Sequence, residues 1–202
     1  MTDAAIPPRA LTLAIVAGGK GERMGGIAKG LLRFQGRTIL ERLLVLRARA
    51  EHVLLVGKGL EAYKPWNLET VEDVSAGYGA PGGVVSALLA APTPWVLVTA
   101  CDMPFVTVAA ATRLLEAAAT SDGACFTRQG RLEPLLGVYA ASLGDGWKAR
   151  LTENPSFQVL FQNSRVTALP EDELLAVDPT GACVRSVNTW EEAQAWGLEP
   201  PA

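Results

Sequence analysis

Two short segments concentrate the residue types that do chemistry. Between Gly18 and Arg37, five basic side chains (Lys20, Arg23, Lys29, Arg33 and Arg37) stand against one acid, Glu22. Gly18, Gly19, Gly21, Gly25 and Gly26 remove side chains there, so backbone N–H groups can approach an anion closely. Phosphate is the ligand that rewards cations and bare backbone together. The same stretch also reads as a surface loop with solvated charges. The second segment is Cys101-Asp102-Met103-Pro104. A carboxylate set against phosphates makes sense with a cation between them. Mg2+ fits, because it takes oxygen ligands and usually binds one or two carboxylates plus substrate phosphates. Asp102 also reads as a turn-capping residue ahead of Pro104.

Several familiar chemistries are excluded. The glycine loop lacks Walker A spacing, since Lys29-Gly30 is followed by Leu31. A G-x-G-x-x-G match occurs at Gly77, Gly79 and Gly82, but the acidic segment before it is not the buried strand that a dinucleotide fingerprint needs. One histidine, His52, rules out His-based metal centres. Cys101, Cys125 and Cys183 contain no CxxC pair, and their odd number argues against a disulfide framework. Reduced, buried cysteines in a cytoplasmic protein are the simple reading. A net charge of −3 argues against nucleic acid as a partner. The longest weakly polar stretch, Val84 to Ala100, is interrupted by Pro92 and Pro94, so no membrane span is expected.

The elements that must position these segments follow from hydrophobic patterning. Leu11 to Ala17 is a continuous apolar run ending in glycine, the pattern of a strand buried on both faces. Thr38 with Glu41 has capping-box spacing and opens a helix to Ala50; His52 to Val56 is the next buried strand. Strand, glycine loop, helix, strand opens an α/β sheet of parallel type. Glu69 to Asp73 reads as a weak strand, Ser75 to Gly83 as a loop, Val84 to Ala91 as a helix and Trp95 to Ala100 as a strong strand. Helices are predicted at Val108 to Ala119, Ser142 to Leu151 and Phe157 to Gln162. Strands are predicted at Ala124 to Thr127, Leu135 to Ala140, Val166 to Leu169 and Val184 to Val187. Glu171 to Glu173 reads as a solvated turn. Thr189 with Glu192 forms a second capping box. At 202 residues, 49% hydrophobic and 19% charged, the chain is expected to form a flexible tail over residues 1–10 and one domain over 11–202. The expected class is a three-layer, Rossmann-like α/β fold with a mostly parallel central sheet and helices on both faces.

Val16-Ala17-Gly18-Gly19, Arg23-Met24-Gly25-Gly26 and Lys29-Gly30-Leu31-Leu32 together resemble the nucleotide-binding signature of the molybdenum cofactor guanylyltransferases. The resemblance continues in order through Glu72-Asp73, Gly79 to Gly83, Cys101-Asp102-Met103-Pro104-Phe105, Glu133-Pro134-Leu135 and Ser186-Val187-Asn188-Thr189. It implies a nucleotidyltransferase fold and transfer of GMP from GTP to the phosphate of molybdopterin, with pyrophosphate released. It further implies that Val16, Ala17, Gly18 and Gly19 contact the nucleotide, Lys29 holds phosphates, Asp73 contacts the guanosine part and Asp102 carries Mg2+. Arg23, with Lys29, would stabilise the leaving pyrophosphate. Asn188 is the candidate pterin contact, since an amide offers donor and acceptor; it also reads as part of a helix-entry turn.

The chain departs from the family pattern at Ala28, where aspartate is usual, at Gly57, where asparagine usually closes the second strand, and at Ser186. A basic cluster is reduced around Ser156-Phe157-Gln158. The Gly18-Gly19 pair resembles the guanylyl branch, with a cytidylyltransferase or another NTP-dependent nucleotidyltransferase as alternatives. A non-catalytic nucleotide-binding partner in molybdoenzyme maturation is the alternative from another class. Other maturation proteins are expected partners. Trp95 and Trp190 read as packing residues, and Trp66 as the tryptophan best placed for a ligand.

Overall fold

In the computed structural model, residues 6–17, 24, 26–73, 77–162 and 164–201 are described. The apolar run predicted as a doubly buried strand forms β1 (Leu11–Val16), all six residues buried. It pairs in parallel with β4 (His52–Gly57) on one side and β6 (Trp95–Ala100) on the other. Between β1 and β4 lie a 3-10 turn at Lys29–Leu31, the two-residue strands β2 (Arg33–Phe34) and β3 (Arg37–Thr38), and helix α1 (Ile39–Leu43). The Thr38/Glu41 capping box is present. The helix is shorter than the sequence predicts, because Leu44–Arg49 tightens into a 3-10 helix before the chain enters β4.

The sheet has the order β5-β4-β1-β6-β8-β7-β9, with β5 (Glu69–Glu72), β7 (Gly123–Arg128), β8 (Arg131–Ala140) and β9 (Val166–Leu169) completing it. Among these strands only β8 runs against the rest. The cause is local. Gln129 (φ 51°) and Gly130 (φ 72°) make a two-residue turn, the connection that joins antiparallel strands. β8 starts four residues earlier than predicted, since β7 supplies ladder partners from Arg131 onward.

Helices cover both faces. On one, α1, α3 (Val108–Ala118), α6 (Glu171–Val177) and α7 (Trp190–Ala195) pack over Leu11, Leu13, Ile15, Leu97 and Phe126. On the other, α2 (Gly79–Ala90), α4 (Gly144–Leu151) and α5 (Phe157–Phe161) pack over Ala14, Val16, Leu54, Val98 and Tyr139.

Three predicted elements need correction. Helix α2 begins at Gly79, not Val84, despite Gly82 and Gly83 in its opening turns. Glycine is a poor helix former, but a Cβ on Gly83 would lie 2.6 Å from Val16 Cγ1. The glycine lets α2 press onto the end of β1, and that burial overrides propensity. The predicted strand Val184 to Val187 does not join the sheet. Residues 182–184 form a 3-10 turn, and Val187 N–H donates instead to Asp102 C=O across the end of β6 (2.9 Å). Glu171 to Glu173, read as a solvated turn, are the first turn of α6, where three acidic side chains complement the helix N-terminus.

Candidate functional site

The carboxyl ends of parallel strands gather candidate residues that are far apart in sequence. Ala17 N–H donates to Val56 C=O (2.7 Å), and Cys101 N–H donates to Val16 C=O (2.9 Å), so the ends of β1, β4 and β6 are held level. Val16 and Ala17 are buried at this edge. The expectations placed on Gly18, Gly19, Lys20 and Arg23 lie outside the described residues. Met24 is 1% exposed within the core. Residues 26–28 lead into the 3-10 turn carrying Lys29.

Here three predicted site residues meet. Lys29 Nζ donates to Asp102 Oδ2 (3.1 Å) and to Asn188 Oδ1 (2.9 Å). The lysine and aspartate side chains are only 19% and 18% exposed, so their attraction is less screened than that of a surface pair. Asp102 follows β6 in a turn braced from two sides. Val187 N–H holds its carbonyl, and Arg42 Nε donates to Pro104 C=O (2.8 Å) while its guanidinium lies over the Phe34 ring. Asn188 is held by its own helix: its backbone N–H donates to Glu192 Oε2 (2.7 Å), an acceptor shared with Thr189 N–H in the second capping box.

The second oxygen of Asp102, Oδ1, is buried and has no hydrogen-bond partner. An unpartnered buried carboxylate oxygen is costly, and it is the kind of donor a hard cation would use. No group of three or more His, Cys, Asp or Glu able to hold a metal exists among the described residues. The described residues therefore fit a cation held by one carboxylate together with ligand oxygens, which is the magnesium pattern.

Asp73 stands at the same sheet end but beyond edge strand β5. Its strand is three spacings, about 14 Å, from β6. Its Oδ1 accepts from Ser86 Oγ on α2 (2.8 Å), and its N–H reaches Gly57 C=O (3.4 Å). Gly57 itself has a structural reason. A Cβ there would lie 2.5 Å from Ala17 C=O oxygen and 2.9 Å from its carbon, so the asparagine usual in the resembled family has no room. Trp66, expected as the tryptophan best placed for a ligand, is half-buried against the core, and Trp95 and Trp190 pack against it as expected.

Two contributors were invisible to spacing arguments. Ser86 lies inside an apolar helix, and only the fold shows it facing Asp73. Tyr63, in the 3-10 helix Leu60–Trp66, reaches across to the lysine turn: its hydroxyl accepts from Gly30 N–H (3.2 Å) and lies 3.8 Å from Cys101 Sγ. Burial, then the neighbouring Asp102 charge, pushes the Cys101 thiol up to about 12. It is a packing group and not a nucleophile.

A protein family described as the MobA-like NTP transferase domain matches residues 13–166. A molybdenum cofactor guanylyltransferase of Pseudomonas putida is 35% identical over 138 residues, covering 66% of this chain and 71% of its own length. The protein of the same name from Acidovorax ebreus is 32% identical over 188 residues, covering 92% of this chain and 81% of its own. Among solved structures, molybdopterin-guanine dinucleotide biosynthesis protein A from Archaeoglobus fulgidus superposes with a TM-score of 0.76 at 22% identity, covering 92% of this chain and 96% of that one. The 4-diphosphocytidyl-2C-methyl-D-erythritol synthase of Anaerococcus prevotii gives 0.67 at 14% identity, covering 94% and 95%. These two show a shared nucleotidyltransferase fold.

Proposed function

This chain belongs to the MobA-like NTP transferase family, and from that membership we propose that it transfers GMP from GTP to the terminal phosphate of molybdopterin, releasing pyrophosphate. The relatives that support this reading carry the name molybdenum cofactor guanylyltransferase. The observation that carries it is the meeting of Lys29, Asp102 and Asn188 at the ends of β1 and β6.

In this reading the triphosphate lies along the loop that follows Val16 and Ala17, whose Gly18, Gly19 and Arg23 offer N–H groups and charge. Asp73, at the far edge of the same sheet end, takes the guanosine part. The acceptor phosphate is ionised at neutral pH, so no general base is needed. One of its oxygens forms a bond to the α-phosphorus of GTP. The bond from that phosphorus to the bridging oxygen of the β-phosphate breaks, and the electron pair leaves on pyrophosphate. The protein's work is positioning and charge neutralisation. Lys29 presents its ammonium to phosphate oxygens while anchored on Asp102 and Asn188. Asn188, on the C-terminal segment, faces the acceptor side. Asp102, through Oδ1, would hold Mg2+, which when bound supplies charge neutralisation for phosphate oxygens. The enzyme acts in the cytoplasm, alongside other proteins that mature molybdoenzymes. No described helix is long and apolar enough to cross a membrane.

The test is pyrophosphate release from GTP in the presence of molybdopterin. Asp102→Asn and Lys29→Ala are each expected to lower turnover about 10²–10³-fold, the scale of one lost electrostatic donor, while unfolding cooperatively. Near-wild-type turnover in either would overturn the mechanism. Equal rates with CTP would overturn the guanylyl assignment. Tight GTP binding without pyrophosphate release would overturn the transferase reading.

A further inference from the structure

We infer that Tyr63 is a positioning residue that sets the Lys29 ammonium against Asp102. Lys29 and Gly30 occupy a three-residue 3-10 turn whose preceding residue, Ala28, makes no side-chain cap. The turn is short, and a lysine stem has four rotatable bonds, so its own backbone does little to aim the ammonium. Leu31 N–H to Ala28 C=O (2.8 Å) and Leu32 N–H to Lys29 C=O (3.0 Å) close the turn, and a contact from outside it ties it to its neighbours. Gly30 N–H, buried, donates to Tyr63 Oη, and the phenol lies within reach of the Cys101 thiol, the residue before Asp102. One hydroxyl thus links the backbone beside Lys29 to the side chain of Cys101, the residue before Asp102.

The fit is close on both sides. Gly30 carries no side chain because a Cβ would stand 2.9 Å from both Tyr63 Cε1 and Oη. Tyr63 is 5% exposed, and beside it lies a cavity of about 270 Å³ that it lines with Leu55, Leu60, Lys64 and Leu68. Burial, and the neighbouring thiol, push the Tyr63 phenol well above its ordinary range, so it stays a neutral hydroxyl able to accept and donate together.

Tyr63→Phe removes the hydroxyl and keeps the ring, so it separates positioning from core packing. The first measurement needs no nucleotide: acetylation of Lys29 by acetic anhydride, mapped by mass spectrometry. Loss of the tether is expected to raise the Lys29 rate about threefold to fivefold, the scale of one neutral hydrogen bond, with other lysines unchanged. An unchanged Lys29 rate overturns the inference. The second rests on the triphosphate reading of Lys29. GTP affinity should fall about fivefold in Tyr63→Phe, GMP affinity should hold, and Tyr63→Phe should add nothing in a Lys29→Ala background. Additive losses, or equal losses for GTP and GMP, would mean a general packing role and overturn it. Failure of the wild-type chain to bind GTP would sink the triphosphate reading alone, leaving acetylation to decide on Tyr63. Should Tyr63→Phe not fold, Gly30→Ala serves in its place. Its added methyl must push the phenol away, and it should raise Lys29 acetylation in the same direction; no change there counts against the inference equally.

Discussion

At the scale of single residues, the site is governed by what glycines permit. Gly57 has ordinary backbone geometry, so its identity is not about turn-making. It is there because the Ala17 carbonyl, first residue past β1, leans into the space a side chain would fill. The obstacle is backbone and cannot swing aside. Gly57→Ala is therefore expected to cost about 1–3 kcal/mol, read as a lower urea midpoint, and to weaken GTP binding by displacing Ala17. An unchanged midpoint would show that the strand ends yield freely. The same contact explains the departure from the family pattern at Gly57: with the strand ends so placed, an asparagine side chain has no room. Lys29 and Asp102 could be picked out in sequence because cations, glycines and a carboxylate after an apolar strand form a recognisable chemistry. Tyr63 and Ser86 could not, since their roles depend on partners 33 and 13 residues away.

At the scale of elements, local signals succeeded where the chain's own neighbours supply the hydrogen bonds. Both capping boxes, Thr38/Glu41 and Thr189/Glu192, formed as spaced. They failed where packing decides, as at the start of α2 and over residues 184–187. The turn before that last segment is organised by Asp178, whose carboxylate accepts from Thr180 Oγ1 (2.7 Å), Thr180 N–H (3.1 Å) and Cys183 N–H (2.7 Å). Burial raises its pKa, but these hydrogen bonds outweigh burial and hold it below the ordinary carboxylate range. The sign follows. A depressed folded-state pKa contributes stability that is complete above the unfolded value, about 3.9, and is lost as pH falls through the folded one. Asp178→Asn should cost about 1–2 kcal/mol at pH 7, and the gap from wild type should narrow below about pH 4. A gap independent of pH across that window would contradict this account. Since this turn leads to Val187 and Asn188, the variant should also weaken acceptor use more than GTP binding.

At the scale of the whole molecule, the sheet separates two jobs. The strands β5-β4-β1-β6 are parallel, and Val16, Ala17, Asp73 and Asp102 stand at their carboxyl ends, where ligands in α/β sheets generally sit, with Lys29 reaching in from its turn. The reversed strand β8 and its neighbours extend the sheet and bury the second face. There Trp147 is 1% exposed, packs on Tyr139 and Phe161, and donates from Nε1 to Ser164 Oγ (3.0 Å). Trp147→Ala should cost about 3–5 kcal/mol in denaturant unfolding. At temperatures where the variant stays folded, GTP affinity should remain near wild type. A specific loss of GTP affinity would show that this face is coupled to the site.

By itself the sequence determined the parallel α/β class, the position of Asp102 just past a buried strand and the helix starts that capping boxes mark. Each of these rests on near neighbours or on hydrophobic period, and such signals survive in one dimension. Only the tertiary structure decided that Asn188, 159 residues from Lys29, closes on the same ammonium. Only it showed that one oxygen of Asp102 is left without a partner, that α2 begins at a glycine pressed on Val16, and that Tyr63 stands behind the lysine turn. Those facts depend on how strand ends are levelled and how closely layers approach. Both are set by burial across the whole sheet and by no local run of residues.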